Sequence, residues 1–331
     1  MVRRILFLLM TTIASAAMAA DDGGYPFVTF DSEGSQRGEQ IYFGLSIDGN
    51  RWEALNGREP VLVSELGEKG ARDPYLLRAE NGKFYLLATD LSIFLNPDWK
   101  RAVQKGSRSI LVWESDDLVH WSTPRLVEVA PPDAGCTLAP EAIYDPERKE
   151  YLVYWASPTK GDGYRKQRIW GAWTQDFHTF GAPFIYIEKP TTIIDTDIVR
   201  GDDGKYYRFT KDEKHKAITM EVCDHVVGDW QNVPGFTLGE QTGYEGPTCF
   251  KLKPTEIGQP ATWCLLLDAY ARHAGYQPFV TGELASGNFA PGGGFKFPFR
   301  FRHGSVLPLS ATEYERLKTN FGRAKDAGGT S

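Results

Sequence analysis

Four short segments place an acidic residue beside a turn-forming or rigid neighbour: Arg72-Asp73-Pro74, Ala139-Pro140-Glu141, Ile194-Asp195-Thr196 and Glu245-Gly246-Pro247. A fifth, Arg302-His303-Gly304, carries an imidazole instead. Any one of them alone reads as an ordinary solvated turn, since Asp, Gly and Pro are common loop residues. Together they matter if the fold gathers them. Crowded carboxylates repel and desolvate one another, which costs stability and drives their pKa values apart. A carboxyl kept protonated opposite one kept ionised is the equipment of general acid–base catalysis.

The elements that must gather them are legible as a repeat. A β-rich run ends in a small or polar residue, an acid follows, and an aromatic closes the unit. The copies are Ser46-Ile-Asp48-Gly-Asn-Arg-Trp52, Ser115-Asp-Asp-Leu-Val-His-Trp121, Thr174-Gln-Asp176-Phe-His-Thr-Phe180, Cys223-Asp224 to Trp230, and Gly282-Glu283 to Phe289. Successive closing aromatics lie 50–69 residues apart. The preceding runs are Gln40–Ser46, Ser109–Glu114, Arg168–Thr174, Ala217–Cys223 and Gln277–Thr281. Two further strands come earlier in four repeats, joined by Asn81-Gly82 and Asp203-Gly204 turns, in which glycine takes positive φ freely, by Asp145-Pro146-Glu147-Arg148, and in the fourth by a longer loop. Helical periodicity is confined to Ala311–Lys318.

This pattern predicts an all-β chain, a five-bladed β-propeller with one four-stranded sheet per repeat. Four repeats are whole. The last blade is expected to be closed by Gly304–Leu309 from one end of the chain and Phe27–Phe30, Gln40–Ser46 and Arg51–Glu53 from the other. Closure of that kind removes open sheet edges. A β-sandwich also consists of short strands, but it does not call for five equivalent motifs. In a propeller the innermost strands line a central channel, and the acidic segments above open those strands. Four acids and a histidine are thereby predicted to meet at one rim.

Composition narrows the partners. Lys and Arg number 37 against 43 Asp and Glu, a net charge of −6, with no long basic run. That argues against nucleic acid and against an anionic membrane surface. The chain is 41% hydrophobic and 13% aromatic, ample for a packed interior. Arg3 and Arg4, the apolar run Ile5–Met10 and Ala17-Met18-Ala19 read as a cleaved export signal over residues 1–19. Residues 20–331 are then expected to form a single catalytic propeller domain, secreted or periplasmic, monomeric and free of any membrane span. The four cysteines, Cys136, Cys223, Cys249 and Cys264, fit no metal spacing and are read as buried thiols, with a Cys249–Cys264 pair as the alternative.

Arg72-Asp73-Pro74, Ile194-Asp195, Glu245-Gly246-Pro247 and Arg302-His303-Gly304-Ser305-Val306, in this order and on inner strands, resemble the signature of family 43 glycoside hydrolases. The resemblance covers roughly Tyr25 to Leu317. It implies Asp73 as general base, Asp195 as the residue that tunes the acid, and Glu245 as general acid. It also implies a calcium ion or water cluster at the propeller centre, near His303. Where the family often has Trp before the second-blade Ala-Pro, this chain has Leu138, and Glu141 beside that motif adds a carboxylate without a family role.

Glycoside hydrolysis needs a proton on the leaving oxygen and a nucleophile at the anomeric carbon. A carboxylic acid supplies the proton near neutrality only if its pKa is raised, which a neighbouring Asp195 is expected to do for Glu245. The resemblance implies inversion, with Asp73 activating water. Asp31, Glu141, Trp155 and Arg272 are the candidate substrate contacts, with Phe30, Phe94, Trp99 and Tyr244 also near predicted rim loops. The family implies an oligo- or polysaccharide substrate of plant origin. The long Ser92–Ser107 insertion favours exo-acting release of α-L-arabinofuranose, with β-D-xylosides, galactofuranosides or galactans as alternatives. A non-catalytic sugar-binding propeller would be expected to lack at least one of the three carboxylates, and all three are present; a protein-interaction scaffold like the WD-repeat propellers would not mass acids at the channel mouth.

Overall fold

The computed structural model describes residues 23–254 and 261–322. Its strands form five four-stranded antiparallel sheets. From the channel outward, blade 1 is Ala71–Arg78, Phe84–Asp90, Ser109–Ser115 and Arg125–Glu128; blade 2 is Leu138–Asp145, Glu150–Pro158, Gln167–Thr174 and Phe184–Ile187. Blade 3 is Ile193–Arg200, Tyr206–Asp212, Ala217–Cys223 and Gln231–Asn232, and blade 4 is Glu245–Leu252, Thr262–Asp268, Tyr276–Thr281 and Ala290–Pro291. Blade 5 takes its inner strand, Gly304–Val306, from late in the chain and its other three, Tyr25–Thr29, Tyr42–Ser46 and Glu53–Ala54, from early in it. Gly304 pairs with Thr29 and Val306 with Phe27 across that junction. The expected ring of five blades and its closure are both present.

Packing between blades explains the composition of the strands. Phe84–Asp90 is buried along its whole length. Alternate side chains of a strand point to opposite faces. Phe84, Leu86 and Ala88 accordingly enter the core shared with blade 5, alongside Phe43, Leu45 and Trp113. Tyr85 and Leu87 enter the core shared with blade 2, against Val153, Trp155 and Phe177. A strand sandwiched between two blades needs apolar residues on both faces, so it reads as a continuous hydrophobic run.

The repeated acid–aromatic motif is the turn from the third strand of a blade to its outer strand. The Asp48 carboxylate accepts hydrogen bonds from the Asn50 and Arg51 amides, Asp117 from Val119 and His120, and Asp176 from His178 and Thr179. Each carboxylate thus satisfies two backbone donors that the turn would leave unpaired. These three acids are architectural and stand apart from the chemistry.

Two α-helices and four single-turn 3-10 segments accompany the strands among the described residues. Ala311–Phe321 extends one turn beyond the expected Ala311–Lys318 and is closed at its start by a capping box between Ser310 and Glu313. Trp99–Gln104, inside the Ser92–Ser107 insertion, is capped by Asp98. All four cysteines are buried free thiols, and no Cys249–Cys264 bond forms; Cys264 lies opposite Phe250 in the ladder and Cys249 opposite Leu265. No helix among the described residues is long and apolar enough to cross a membrane. The export-signal reading of residues 1–19 falls outside the described residues.

Candidate active site

Near its start each inner strand of blades 1 to 4 is broken by a β-bulge. The ladder slips between Arg72 and Tyr75, Leu138 and Glu141, Ile194 and Thr196, and Glu245 and Thr248. At each slip one residue takes a left-handed backbone: Asp73 at φ 49°, Ala139 at 47°, Asp195 at 48° and Gly246 at 51°. Asp and Gly accept this conformation more readily than bulky residues, and bulges serve to re-aim a side chain. The bulge therefore explains how Asp73 and Asp195 turn off the sheet toward the channel mouth.

The bulge also corrects the sequence reading, which set all four acids at one phase of the repeat. Asp73 and Asp195 share a position, whereas its counterpart in blade 2 is Ala139 and in blade 4 is Gly246. Glu245 stands one residue earlier. Glu141 stands two residues later, level with Asp197 of blade 3.

His303 joins the blades. It is buried, with Nδ1 3.5 Å from an Asp73 oxygen and 3.9 Å from an Asp195 oxygen. A Cβ on Gly246 would stand 2.7 Å from His303 Cγ. Only glycine permits that approach and the positive φ together. The Gly246 amide donates to Asp195 Oδ2 at 3.1 Å, and the Thr89 hydroxyl donates to Asp73 Oδ2 at 2.9 Å. The same Thr89 oxygen accepts from the Ala139 amide at 2.8 Å. Glu245 meets two cations: Lys211 Nζ at 2.9 Å on one oxygen and Arg302 Nη2 at 3.4 Å on the other. Arg302 also donates to Asp268 at 2.8 Å and to Glu33 at 3.3 Å. Arg72 does not turn toward Asp73 but bridges Glu33 and the fully buried Glu39.

Burial pushes the Asp195 carboxyl up to about 6, with His303 and Lys211 pulling it down and the Glu245 and Asp73 carboxylates pushing it further up. A carboxyl raised by burial at this mouth is thus Asp195, with the Glu245 carboxylate among the charges that raise it. Beneath this layer Glu141 and Asp197 face each other inside the channel. Burial raises both, Asp197 to about 7 and Glu141 well above the usual carboxylate range, each pushed by loss of water first. Asp197 accepts from the Cys249 amide, and Glu141 from the Tyr154 hydroxyl at 3.1 Å.

A cleft of about 620 Å³ opens at this end of the inner strands, with Glu245, Lys211, Arg302, Arg72, Trp99 and Tyr270 on its walls. A second opening of about 650 Å³ lies at the opposite end, walled by Leu76, Ile143, Val199, Phe250 and Val306. The cluster of Glu245, Lys211 and Arg302 opens only into the first.

The candidate substrate contacts fare unevenly. Trp155 is fully buried in the core between blades 1 and 2 and cannot stack on a sugar. Glu141 is likewise withdrawn, 4% exposed below the mouth. Arg272 is exposed and lies over the Tyr244 ring, and neither it nor Asp31 lines the cleft. Trp99, by contrast, lines the cleft 51% exposed, its ring over the Arg72 guanidinium.

Calcium prefers six to eight oxygen ligands. Among the described residues no group of three or more His, Cys, Asp or Glu converges as a ligand set. His303, which offers one nitrogen and faces two carboxylates, does not make a protein cage for such an ion, and no step below depends on one.

Residues the sequence reading passed over are Lys211, Asp197, Glu33 and Asp268. The Asp195-Thr-Asp197 spacing held a signal, since residues two apart on a strand share a face. Nothing local distinguishes Lys211 from a surface lysine.

A propeller whose channel mouth gathers carboxylates from separate blades defines a class, and comparison with known proteins places the chain within it. Residues 21–315 match the model of a family related to glycoside hydrolase family 43, described as a probable glycosyl hydrolase domain, and the chain belongs to that family. Over 316 residues it is 30% identical to an α-L-arabinofuranosidase of Bifidobacterium longum subsp. longum, a match that covers 82% of this chain and 29% of that protein. The chain thus spans less than a third of that relative's length. Among solved structures it resembles a fructofuranosidase from Schwanniomyces occidentalis in complex with fructosylnystose, at a TM-score of 0.54 and 14% identity over 72% of this chain and 48% of the other. An exo-β-1,3-galactanase from Phanerochaete chrysosporium gives 0.49 and 16% over 66% and 49%.

Proposed function

We propose that this protein is an exported glycoside hydrolase that releases α-L-arabinofuranose from an oligo- or polysaccharide with inversion. The observation that carries this reading is the meeting of carboxylates from three blades: Asp73 and Asp195 at the His303 imidazole, and Glu245 beside Asp195 on the cleft wall with Lys211. Asp73, held by Thr89 and facing the His303 imidazole, is the base that draws a proton from water. Glu245, on the cleft wall, is the acid that protonates the leaving oxygen. Asp195 lies between them and governs the charge of the group. Inversion requires the two carboxyls to leave room for that water. Arabinofuranose is favoured by the Bifidobacterium longum relative. The exposed Trp99 indole offers an apolar face for the substrate chain.

The test is hydrolysis of aryl α-L-arabinofuranoside, β-D-xyloside and β-D-galactofuranoside, with the anomer of the first-formed sugar read by NMR. The arabinofuranoside is expected to be cleaved fastest, with inverted product. No cleavage of any of the three refutes a hydrolase, and a retained anomer refutes Asp73 as base. Export is tested by the mass of the protein recovered outside the cytoplasm, which should lack residues 1–19.

A further inference from the structure

Lys211 is 1% exposed. Lysine is almost never buried so completely unless it is paired. It sits on the second strand of blade 3, opposite Ile194, immediately before the bulge that turns Asp195 toward the channel. Its ammonium reaches Glu245 at 2.9 Å and Glu213 at 3.1 Å, and lies 4.3 Å from the centre of the Tyr270 ring. The charged groups around it come from every element packed there: Asp195 on its own blade, Glu245 on blade 4, and Glu213 just past its own strand. Arg302 lies on the far side of Glu245, and His303 on the far side of Asp195. Their carboxylates outweigh the effect of burial and keep the ammonium charged.

We infer that Lys211 is a positioning residue for Glu245, a charged strut braced by Glu213 and Tyr270 that aims the carboxyl at the leaving-group oxygen. This rests on the reading of Glu245 as the acid. Three features separate a strut from a chance ion pair. The ammonium is braced on one side by an anion and on another by an aromatic face, so its position is set independently of Glu245. A cation over a ring adds directional attraction. And Lys211 takes one Glu245 oxygen at 2.9 Å while Arg302 stands 3.4 Å from the other, so the closer contact fixes which edge of the carboxyl faces inward.

The test compares aryl glycosides of graded leaving-group acidity. A dinitrophenolate departs without a proton, whereas an alkoxide or a plain phenolate needs one. In Lys211→Met, kcat/KM on the poor leaving groups is expected to fall roughly tenfold or more while the dinitrophenyl substrate is nearly unaffected, as general acid assistance would be lost. With the cation gone, the alkaline limb of the pH–rate profile should move to higher pH. Lys211→Arg should recover part of the loss. Equal losses on good and poor leaving groups, or an unchanged slope and pH profile, overturn the inference. Should Lys211→Met fail to fold by thermal melting, Glu213→Gln at the cleft wall must show the same two signatures in weaker form, and their absence overturns it equally. Wild-type protein inactive on all these glycosides would remove the hydrolase reading itself, a distinct result.

Discussion

Asp197 offers a sharp test of the buried acid pair. Its carboxyl is 3% exposed, and its pKa is raised from 3.8 to about 7, chiefly by loss of water. A group whose folded pKa exceeds its unfolded one favours the fold fully at low pH, and that advantage is lost as pH rises from the unfolded value through the folded one. The window here runs from 3.8 to about 7. At about 1.36 kcal/mol per unit, a rise of about 3 units amounts to up to ~4 kcal/mol. Asp197→Asn cannot ionise, yet its oxygen can still accept from the Cys249 amide and its amino group can reach Glu141. The difference in unfolding free energy, variant minus wild type, should therefore climb by about 1.4 kcal/mol per pH unit across the window and level off above it. Urea unfolding of both proteins from about pH 4.5 to 8.5 reads the buried pair, because titrating groups remote from Asp197 cancel in the difference and only its partner Glu141 is left to respond. A flat difference would show that Asp197 ionises as readily in the fold as outside it, and the account of the channel interior would fail.

Other expectations concern the site and its supports. Asp73→Asn and Glu245→Gln should each lower kcat by roughly 10²–10⁴-fold with the fold intact, and near-normal turnover would remove that residue from the mechanism. In Asp195→Asn the limb of the pH–rate profile near pH 6 should move, since that is where its carboxyl titrates; an unmoved limb contradicts its governing role. Trp99→Ala should raise KM on oligosaccharides several-fold with kcat little changed, the mark of lost binding common to ground and transition states, and an unchanged KM would take Trp99 off the substrate path. Ser310→Ala, which deletes the cap of the last helix, should cost about 1 kcal/mol in chemical unfolding without touching activity.

Much of this molecule was legible in its residue order. The blade count and the closure by both chain segments follow from strand runs, turn residues and an acid repeated before an aromatic, whereas roles for Asp73, Asp195 and Glu245 come only through the family resemblance. Within blades 1 to 4 strand pairing and turn geometry are decided within a few dozen residues, and the long-range closure of blade 5 follows once the repeats are counted. The same logic misled where distance mattered. Trp155 and Glu141 carry the right chemistry in roughly the right segments, but whether a side chain meets a sugar or a neighbouring blade depends on the packing of two sheets, which no single segment encodes.

What the amino-acid order determined by itself was the set of strands and the acids that begin them. What only the tertiary structure decided was their aim and their company. Four bulges, visible only as slips between paired strands, turn Asp73 and Asp195 one way and leave Glu141 and Asp197 beneath them. Lys211 and Arg302, from different blades, find Glu245 across gaps of 34 and 57 residues. Charge acts through space with a strength set by separation and burial, and neither quantity exists until the ring has closed.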